Sequence, residues 1–399
     1  MWKWVIGVVS LIVIIVVSFW FSLDKNVRFL MLDQPDTQNV LFWTTAQRDA
    51  AFQAVDKLDI MPKRKIEKGM KASDLRTGEP LNVDKGQLTQ FFEKQRIAGL
   101  VVVHNGKIRL EKYGLDFDAK GKWTSFSVAK SFTSTLVGAA LKDGYISSLD
   151  DAVSDYIPDI QGSEYDQVSI SQLLTMTSGV AWNEDYDDPN SDVSKFNYHT
   201  PEEGVDVTVS YMRALPRAAD AGSQWLYSTG ETNLIGLVVS QATNKTLSDY
   251  LSEKVWSQIG VEQDASWLLG ITGHEISGCC IQASTRDFAR FAQFILNGAE
   301  IDGKSIVPDG WFELATTTQA DINRVGRGYG YQWWTFDDGT FQGRGIFGQG
   351  LLIDKSRNLV IAINSNWPVA SASEFSRSRE ALYEMIQSAV DSESNDNIE

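Results

Sequence analysis

The chain has 399 residues, 43% of them hydrophobic, which is enough to bury one large core or two and excludes wholesale disorder. Its formal charge is −16 and it has no dense basic face, which excludes a nucleic-acid polyanion as partner.

Residues 1–25 are read as an N-terminal membrane anchor. Trp4 to Leu23 carries no charged side chain, and twenty residues at helical rise span about 30 Å, the thickness of a bilayer's hydrocarbon core. Trp2 and Trp4 at one end, and Phe19, Trp20 and Phe21 at the other, suit the two interfaces. A cleaved signal peptide is the rival, though its apolar region is usually shorter and an A-x-A-like site is missing. No cysteine follows the run to carry a lipid. Lys3 on one side balances Lys25 and Arg28 on the other, so charge alone does not orient the span.

Residues 26–96 read as a stalk and a lead-in segment packed on the main domain, which occupies 97–390. There Val101–His104 and Lys107–Leu110 flank Asn105-Gly106, the strongest short hairpin signal. Val128 to Leu141 is expected as a buried helix ending near Gly144, and Ser169 to Thr177 as a short one. Cys279 and Cys280 are adjacent, imply no disulfide framework, and are expected as small buried apolar side chains. Ser284 opens a helix with Asp287 at its third position and an apolar stripe of Phe288, Phe291, Ile295 and Leu296. Strand-like runs follow at Tyr329–Phe336, Gly348–Ile353 and Leu359–Asn364. A helix from Glu374 to Val390 closes the domain, and the tail Asp391–Glu399 is expected to fray. This order predicts an α+β (mixed α/β) fold with an antiparallel sheet flanked by helices.

The chemistry concentrates in three places. Ser127-Val128-Ala129-Lys130 is an S-x-x-K at a helix start, where three residues return a side chain to nearly the same face. The lysine amine then reaches the serine hydroxyl, and the serine N–H points outward, free for an oxyanion. An ordinary lysine, with a pKa of about 10.4, is a poor base at neutral pH, so burial must lower it. The same pattern at Ser22-Leu23-Asp24-Lys25 ends the anchor and has no such setting. Tyr227-Ser228-Thr229, just before a helix, can project a phenol into a cleft and relay a proton; Tyr198-His199-Thr200 also fits Y-x-T and reads as an ordinary turn. Gly343-Arg344-Gly345-Ile346-Phe347-Gly348-Gln349-Gly350 either lets a substrate approach a strand closely or serves a tight hairpin. The three histidines, His104, His199 and His274, lack metal-site spacing, so no metal or other cofactor is expected; their number allows a Ser-His-Asp triad, but no G-x-S-x-G elbow is present to carry its serine.

These three motifs, in this order, resemble class C β-lactamases and their esterase and peptidase relatives. Val168–Gly179 (VSISQLLTMTSG) is similar to that family's "ITIxxLLTHTSG" segment, and Leu149–Val153 (LDDAV) to its "LDDPV" turn. Tyr329–Trp334 (YGYQWW) and Gly345–Gln349 (GIFGQ) look most like the branch of 6-aminohexanoate-oligomer hydrolases and esterases. The resemblance covers roughly Ile97 to Val390. It implies a β-lactamase/penicillin-binding-protein-like fold with an all-helical lobe, and a catalytic domain outside the cytoplasm. It also implies Ser127 as acylated nucleophile, Lys130 as its base partner and Tyr227 as proton-transfer aid. The oxyanion hole would be the N–H groups of Ser127 and Ile346, after Gly345.

Two positions depart from class C lactamases: Thr229 stands where they carry asparagine, and Gly343-Arg344-Gly345 where they carry Lys-Thr-Gly. The lost lysine removes an anchor for a substrate carboxylate, so a small linear amide or ester fits better than a β-lactam. Trp182, Trp225, Trp333 and Trp334 either line an acyl pocket or pack the core. Glu184-Asp185-Tyr186-Asp187-Asp188 is expected on a solvated loop near the cleft, with a calcium site as the sharper alternative. The expected partners are a small acyl substrate and a membrane. A peptidoglycan-directed peptidase or β-lactamase of the same fold, and a catalytically silent membrane-tethered binding domain, remain alternatives.

Overall fold

A computed structural model of the chain describes residues 2–58, 60–71 and 75–396. Helix α1 (Trp2–Ser22) stands clear of the rest with no buried residue, and it is long and apolar enough to cross a membrane or to serve as a signal sequence. Two residues on, α2 (Lys25–Leu32) begins under the Asp24 cap and packs on α3 (Thr45–Ala54), whose Thr44–Gln47 capping box fixes its start.

The remaining helices are α4 (Lys85–Gln95), α5 (Ala129–Lys142), α6 (Ile170–Leu174), α7 (Asp192–Lys195), α8 (Val207–Met212), α9 (Thr229–Thr243), α10 (Leu247–Leu251), α11 (Thr285–Leu296), α12 (Trp311–Ala315) and α13 (Ser373–Asp396). Helices α5 to α10 follow one another without an intervening strand and form the helical lobe. The strands run β1 (Lys63–Ile66), β2 (Arg76–Thr77), β3 (Ile97–His104), β4 (Lys107–Tyr113), β5 (Trp123–Thr124), β6 (Ala265–Leu268) and β7 (Ile281–Ala283). They continue with β8 (Glu300–Ile301), β9 (Lys304–Ser305), β10 (Ala320–Arg324), β11 (Arg327–Tyr329), β12 (Trp334–Phe336), β13 (Phe341–Gly345), β14 (Gln349–Asp354) and β15 (Leu359–Ser365).

The main sheet has nine strands in the order β10-β11-β12-β13-β14-β15-β3-β4-β2, antiparallel except where β2 joins β4. Strand β3 shows why it is sandwiched. Val101 and Val103 enter the core shared with α5 and α11, while Leu100 and Val102 enter a second core with α4 and α13. The period-two alternation of a strand thus buries both faces. The β3–β4 hairpin turns through Asn105 (φ 51°) and Gly106 (φ 70°), as an Asn-Gly pair favours. The expected α+β architecture is what the structure shows. Within residues 26–96, β1 pairs with β6 and α4 lies against α13, so this segment packs on the main domain.

Three local expectations need correction. The Tyr329–Phe336 run is not one strand. Gln332 (φ 62°) turns it, because its side-chain amide donates to the Leu173 and Leu174 carbonyls of the helical lobe at 3.2 and 2.9 Å. The tail does not fray at Asp391: α13 continues to Asp396, and Asp391 there holds Arg357 through two hydrogen bonds of 2.8 and 2.9 Å. Cys279 and Cys280 are joined as a disulfide between neighbours, both partly exposed. The turn places them so, with Cys280 at φ 78° and the Cys279 N–H bonded back to the Ile276 carbonyl.

Candidate active site

Ser127 sits in a 3-10 turn, Phe126–Val128, that runs directly into α5 and is tighter than the regular helix start the sequence suggested. Phe126 has φ 42°, in the left-handed region, which costs a residue with a β-carbon about 1–3 kcal/mol. Aromatic packing holds it there, with ring centroids 5.1 Å from Phe52 and 5.4 Å from Phe347. Phe347 is itself left-handed (φ 57°) and directly follows Ile346 at the end of β13. Each expected oxyanion donor therefore adjoins a left-handed phenylalanine, and the two rings pack on one another.

Strand β13 reaches this turn by close approach. A β-carbon on Gly345 would stand 2.8 Å from the Ser125 carbonyl oxygen and 3.1 Å from the Phe126 β-carbon. One on Gly343 would meet the Ser131 hydroxyl at 3.0 Å. Both glycines lie within paired strand, so proximity and not a tight hairpin explains them. Alternation sends Arg344 to the other face, where it pairs with Glu380 of α13 and takes a 2.8 Å hydrogen bond to Gln342.

Lys130 lies one helical turn beyond Ser127 and is 1% exposed. Its Nζ is 3.3 Å from Ser127 Oγ, 3.0 Å from Thr229 Oγ1 and 2.8 Å from the Gly278 carbonyl oxygen. Burial pushes its pKa down to about 8, against the opposing pull of Glu184. A neutral amine in this setting donates to Thr229 and Gly278 and leaves its lone pair for the Ser127 proton. That is the arrangement of a general base on a nucleophile.

Tyr227 directly precedes Ser228, the cap of α9, whose hydroxyl accepts from the Glu231 N–H. The cap fixes the tyrosine at the entrance to the helix. The Lys130 amine stands 5.3 Å from its ring centroid, and the Ser127 side chain lies close enough to pull the phenol's pKa down against burial. Burial and the Glu184 charge hold the phenol well above its ordinary range, so it stays protonated and able to donate at neutral pH. Its ring stacks on Trp334 at 5.6 Å and meets Trp225 and Tyr329 at 6.2 Å. Trp333, by contrast, is fully buried against Phe341 at 5.2 Å. Trp182 packs against Phe196 and sends its indole N–H to Glu184. Of the tryptophans flagged in the sequence, Trp225 and Trp334 thus stand at the tyrosine, while Trp333 is core.

The residue that sequence reasoning missed is Glu184. It accepts from the Thr229 N–H at 2.9 Å, the Thr229 hydroxyl, the Trp182 indole and the Tyr186 hydroxyl at 2.8 Å. Both carboxylate oxygens are thereby occupied by protein donors, so this part of the acidic loop is site wall and not solvated surface. Because Thr229 donates to Glu184, its oxygen is left to accept from Lys130, which gives the threonine a bridging role. Nothing in the spacing of Glu184 marked it among the acids around it. The Gly278 carbonyl was equally invisible; it is aimed by the Asn233 side chain, which accepts the Gly278 N–H at 2.8 Å. The decoy motifs stay apart: Ser22 bonds the Phe19 carbonyl, and Tyr198 bonds the Gln38 carbonyl. Each histidine has a partner elsewhere, His104 with Arg109, His199 with Ser210 and His274 with Asp206.

A β-lactamase family model matches residues 64–383. The chain belongs to the β-lactamase family. Among relatives, it is 28% identical to the 6-aminohexanoate-dimer hydrolase of Paenarthrobacter ureafaciens over 70% of this chain and 75% of that one. It is 29% identical to a β-lactamase of Pseudomonas fluorescens over 43% and 47%. Among solved structures, the 6-aminohexanoate-dimer hydrolase homologue from Bacillus anthracis superposes with a TM-score of 0.75 at 22% identity, over 87% of this chain and 95% of that one. EstCE1, a hydrolase with promiscuous acyltransferase activity, gives 0.61 at 15% identity over 77% and 97%. A class C β-lactamase gives 0.57 at 16% over 76% and 94%. This β-lactamase-family chain is accordingly a serine hydrolase of the same fold as the esterases and penicillin-binding proteins.

Proposed function

We propose that this protein forms an acyl-enzyme on Ser127 and hydrolyses a small linear amide or ester, from a catalytic domain anchored by α1 and held outside the cytoplasm. The observation that carries the proposal is the buried Lys130 amine, within hydrogen-bonding distance of Ser127 and with its pKa lowered towards neutrality. In this reading Lys130 takes the Ser127 proton as the hydroxyl attacks the acyl carbon. The developing oxyanion is met by the N–H groups of Ser127 and Ile346. Tyr227 gives its proton to the leaving nitrogen or oxygen and is reprotonated by the Lys130 ammonium, which restores both groups so that a water repeats the sequence and releases the acid. Gly345 admits the acyl group to the strand edge, Thr229 holds the amine, and Trp225 and Trp334 flank the leaving-group side. The preference for a linear substrate rests on Arg344, which faces Glu380 and so offers no carboxylate anchor beside Ser127.

The test uses a fluorophosphonate probe and p-nitrophenyl esters on the full chain in detergent. Labelling and hydrolysis that vanish in Ser127→Ala, with thermal unfolding unchanged and no acylation by penicillins, are the expected results. Acylation by penicillins would transfer the protein to the peptidoglycan-directed reading. Folded protein that takes no label at all would make it a silent binding domain.

A further inference from the structure

Helix α2 carries an unusual outward face for a soluble surface. Lys25, Arg28, Phe29, Met31 and Leu32 fall within about half of its circumference, and Phe29, Met31 and Leu32 are exposed, Leu32 by 77%. No acidic residue lies on the helix. Among the described residues outside α1 and α2, the other exposed large apolar side chains lie singly along the chain. A stripe of basic and apolar residues is the pattern of a helix that lies in a membrane interface.

Its position supports the same occupant. Only Leu23 and Asp24 separate α2 from the end of α1, and two residues reach at most about 7 Å, roughly the depth of one headgroup layer. The joint has no slack on the protein side either. The Asp24 carboxylate caps α2 through the Asn26 N–H at 2.8 Å and pairs with Lys57 at 2.7 Å, while Lys25 pairs with Asp116 at 3.2 Å. On the inner face Leu30 packs against a cluster that contains Phe126 and Phe347, the neighbours of Ser127 and Ile346, with Tyr186 and Trp43 at its edge. The helix is therefore one packed layer from the catalytic turn.

We propose that α2 seats on the lipid bilayer, its Phe29–Leu32 face in the headgroup and upper acyl region, and so holds the Ser127 cleft at the membrane surface, where it would meet acyl substrates that partition into lipid. This rests on α1 being a retained anchor. Either face of the joint can be tested in the full chain reconstituted in phosphatidylcholine–phosphatidylglycerol nanodiscs. Single cysteines would be placed at Leu32→Cys, at Val13→Cys inside α1, and at Val325→Cys. The last is fully exposed in the turn beyond β10, at the sheet edge opposite β2. Each is labelled with an environment-sensitive fluorophore and read in lipid carrying a nitroxide either near the headgroup or deep in the acyl chain. The shallow nitroxide should quench the Leu32 label and the deep one the Val13 label, near the middle of α1, while the Val325 label keeps its emission with both. A quenched Val13 label beside an unquenched Leu32 label overturns the seating and leaves the anchor standing. An unquenched Val13 label removes the anchor and the seating together.

Discussion

Replacing Glu184 by glutamine should move the acid limb of catalysis to lower pH. Burial has already brought Lys130 from 10.5 to about 8, a change of about 3 kcal/mol in favour of the neutral amine. At pH 7 that raises the neutral fraction from about one in three thousand to about one in ten. Glu184 works against burial, because its negative charge favours the ammonium. The two hydrogen bonds that meet at Thr229 Oγ1 hold carboxylate oxygen and amine no more than about 5.5 Å apart, where an effective dielectric of about 20 gives an interaction of about 3 kcal/mol. Its loss should lower the Lys130 pKa by about one to two pH units after solvent screening of the half-buried loop. The assay is kcat/KM for p-nitrophenyl acetate between pH 5 and 10, read at the isosbestic wavelength. Its acid limb reports the base of the free enzyme. The wild-type limb should lie near 8 and the Glu184→Gln limb near 6 to 7, with Glu184→Asp returning towards 8. The plateau should fall as well, since the Thr229 N–H loses its charged acceptor, but the position of the limb is independent of that. A Glu184→Gln limb that stays at 8 or rises would refute the electrostatic account of Lys130.

Glu231 is 2% exposed, its pKa raised to about 8 by burial despite hydrogen bonds from Ser178 and Tyr165. Between its ordinary 4.5 and about 8 the folded state holds a proton that the unfolded state has released, so stability falls as pH rises through that window. Glu231→Gln should remove this slope and stabilise the protein by about 3 kcal/mol at pH 7 relative to its effect at pH 4, measured by urea unfolding at both. Gly345→Ala should cost about 1–3 kcal/mol, because its β-carbon must displace the Ser125 carbonyl or the Phe126 side chain. The same change should slow esterase turnover more than it lowers the melting temperature would imply, since the turn it moves carries Ser127. Tyr227→Phe, which keeps the stacking on Trp334 and loses only the proton donor, should lower kcat by about 10²–10⁴ with little change in unfolding.

Much of this was written locally. The S-x-x-K spacing, the cap before α9, the Asn-Gly hairpin and the Ser284 cap each fix a few neighbouring backbone angles or side-chain faces, so periodicity and capping chemistry reveal them without knowledge of the fold. The family resemblance then tied Ser127, Lys130 and Tyr227 together across a hundred residues. What it did not show were interactions set by where distant segments land. Glu184 was one acid among several until the loop brought it to Thr229, and the Gly278 carbonyl had no side chain to announce it.

Adjacent residues met opposite fates for the same reason. Trp333 enters the core and Trp334 reaches Tyr227 because the Gln332 turn and the pairing of β12 with β13 decide which way each points. Arg344 turns from the cleft while its glycine neighbours face it, as strand alternation requires once the register is set. The sequence by itself determined the apolar first helix, the order of motifs and the chemistry of the nucleophile with its base. Only the tertiary structure decided the base's state of charge and the proton donor's surroundings, because desolvation depends on everything packed around a group and not on its neighbours along the chain.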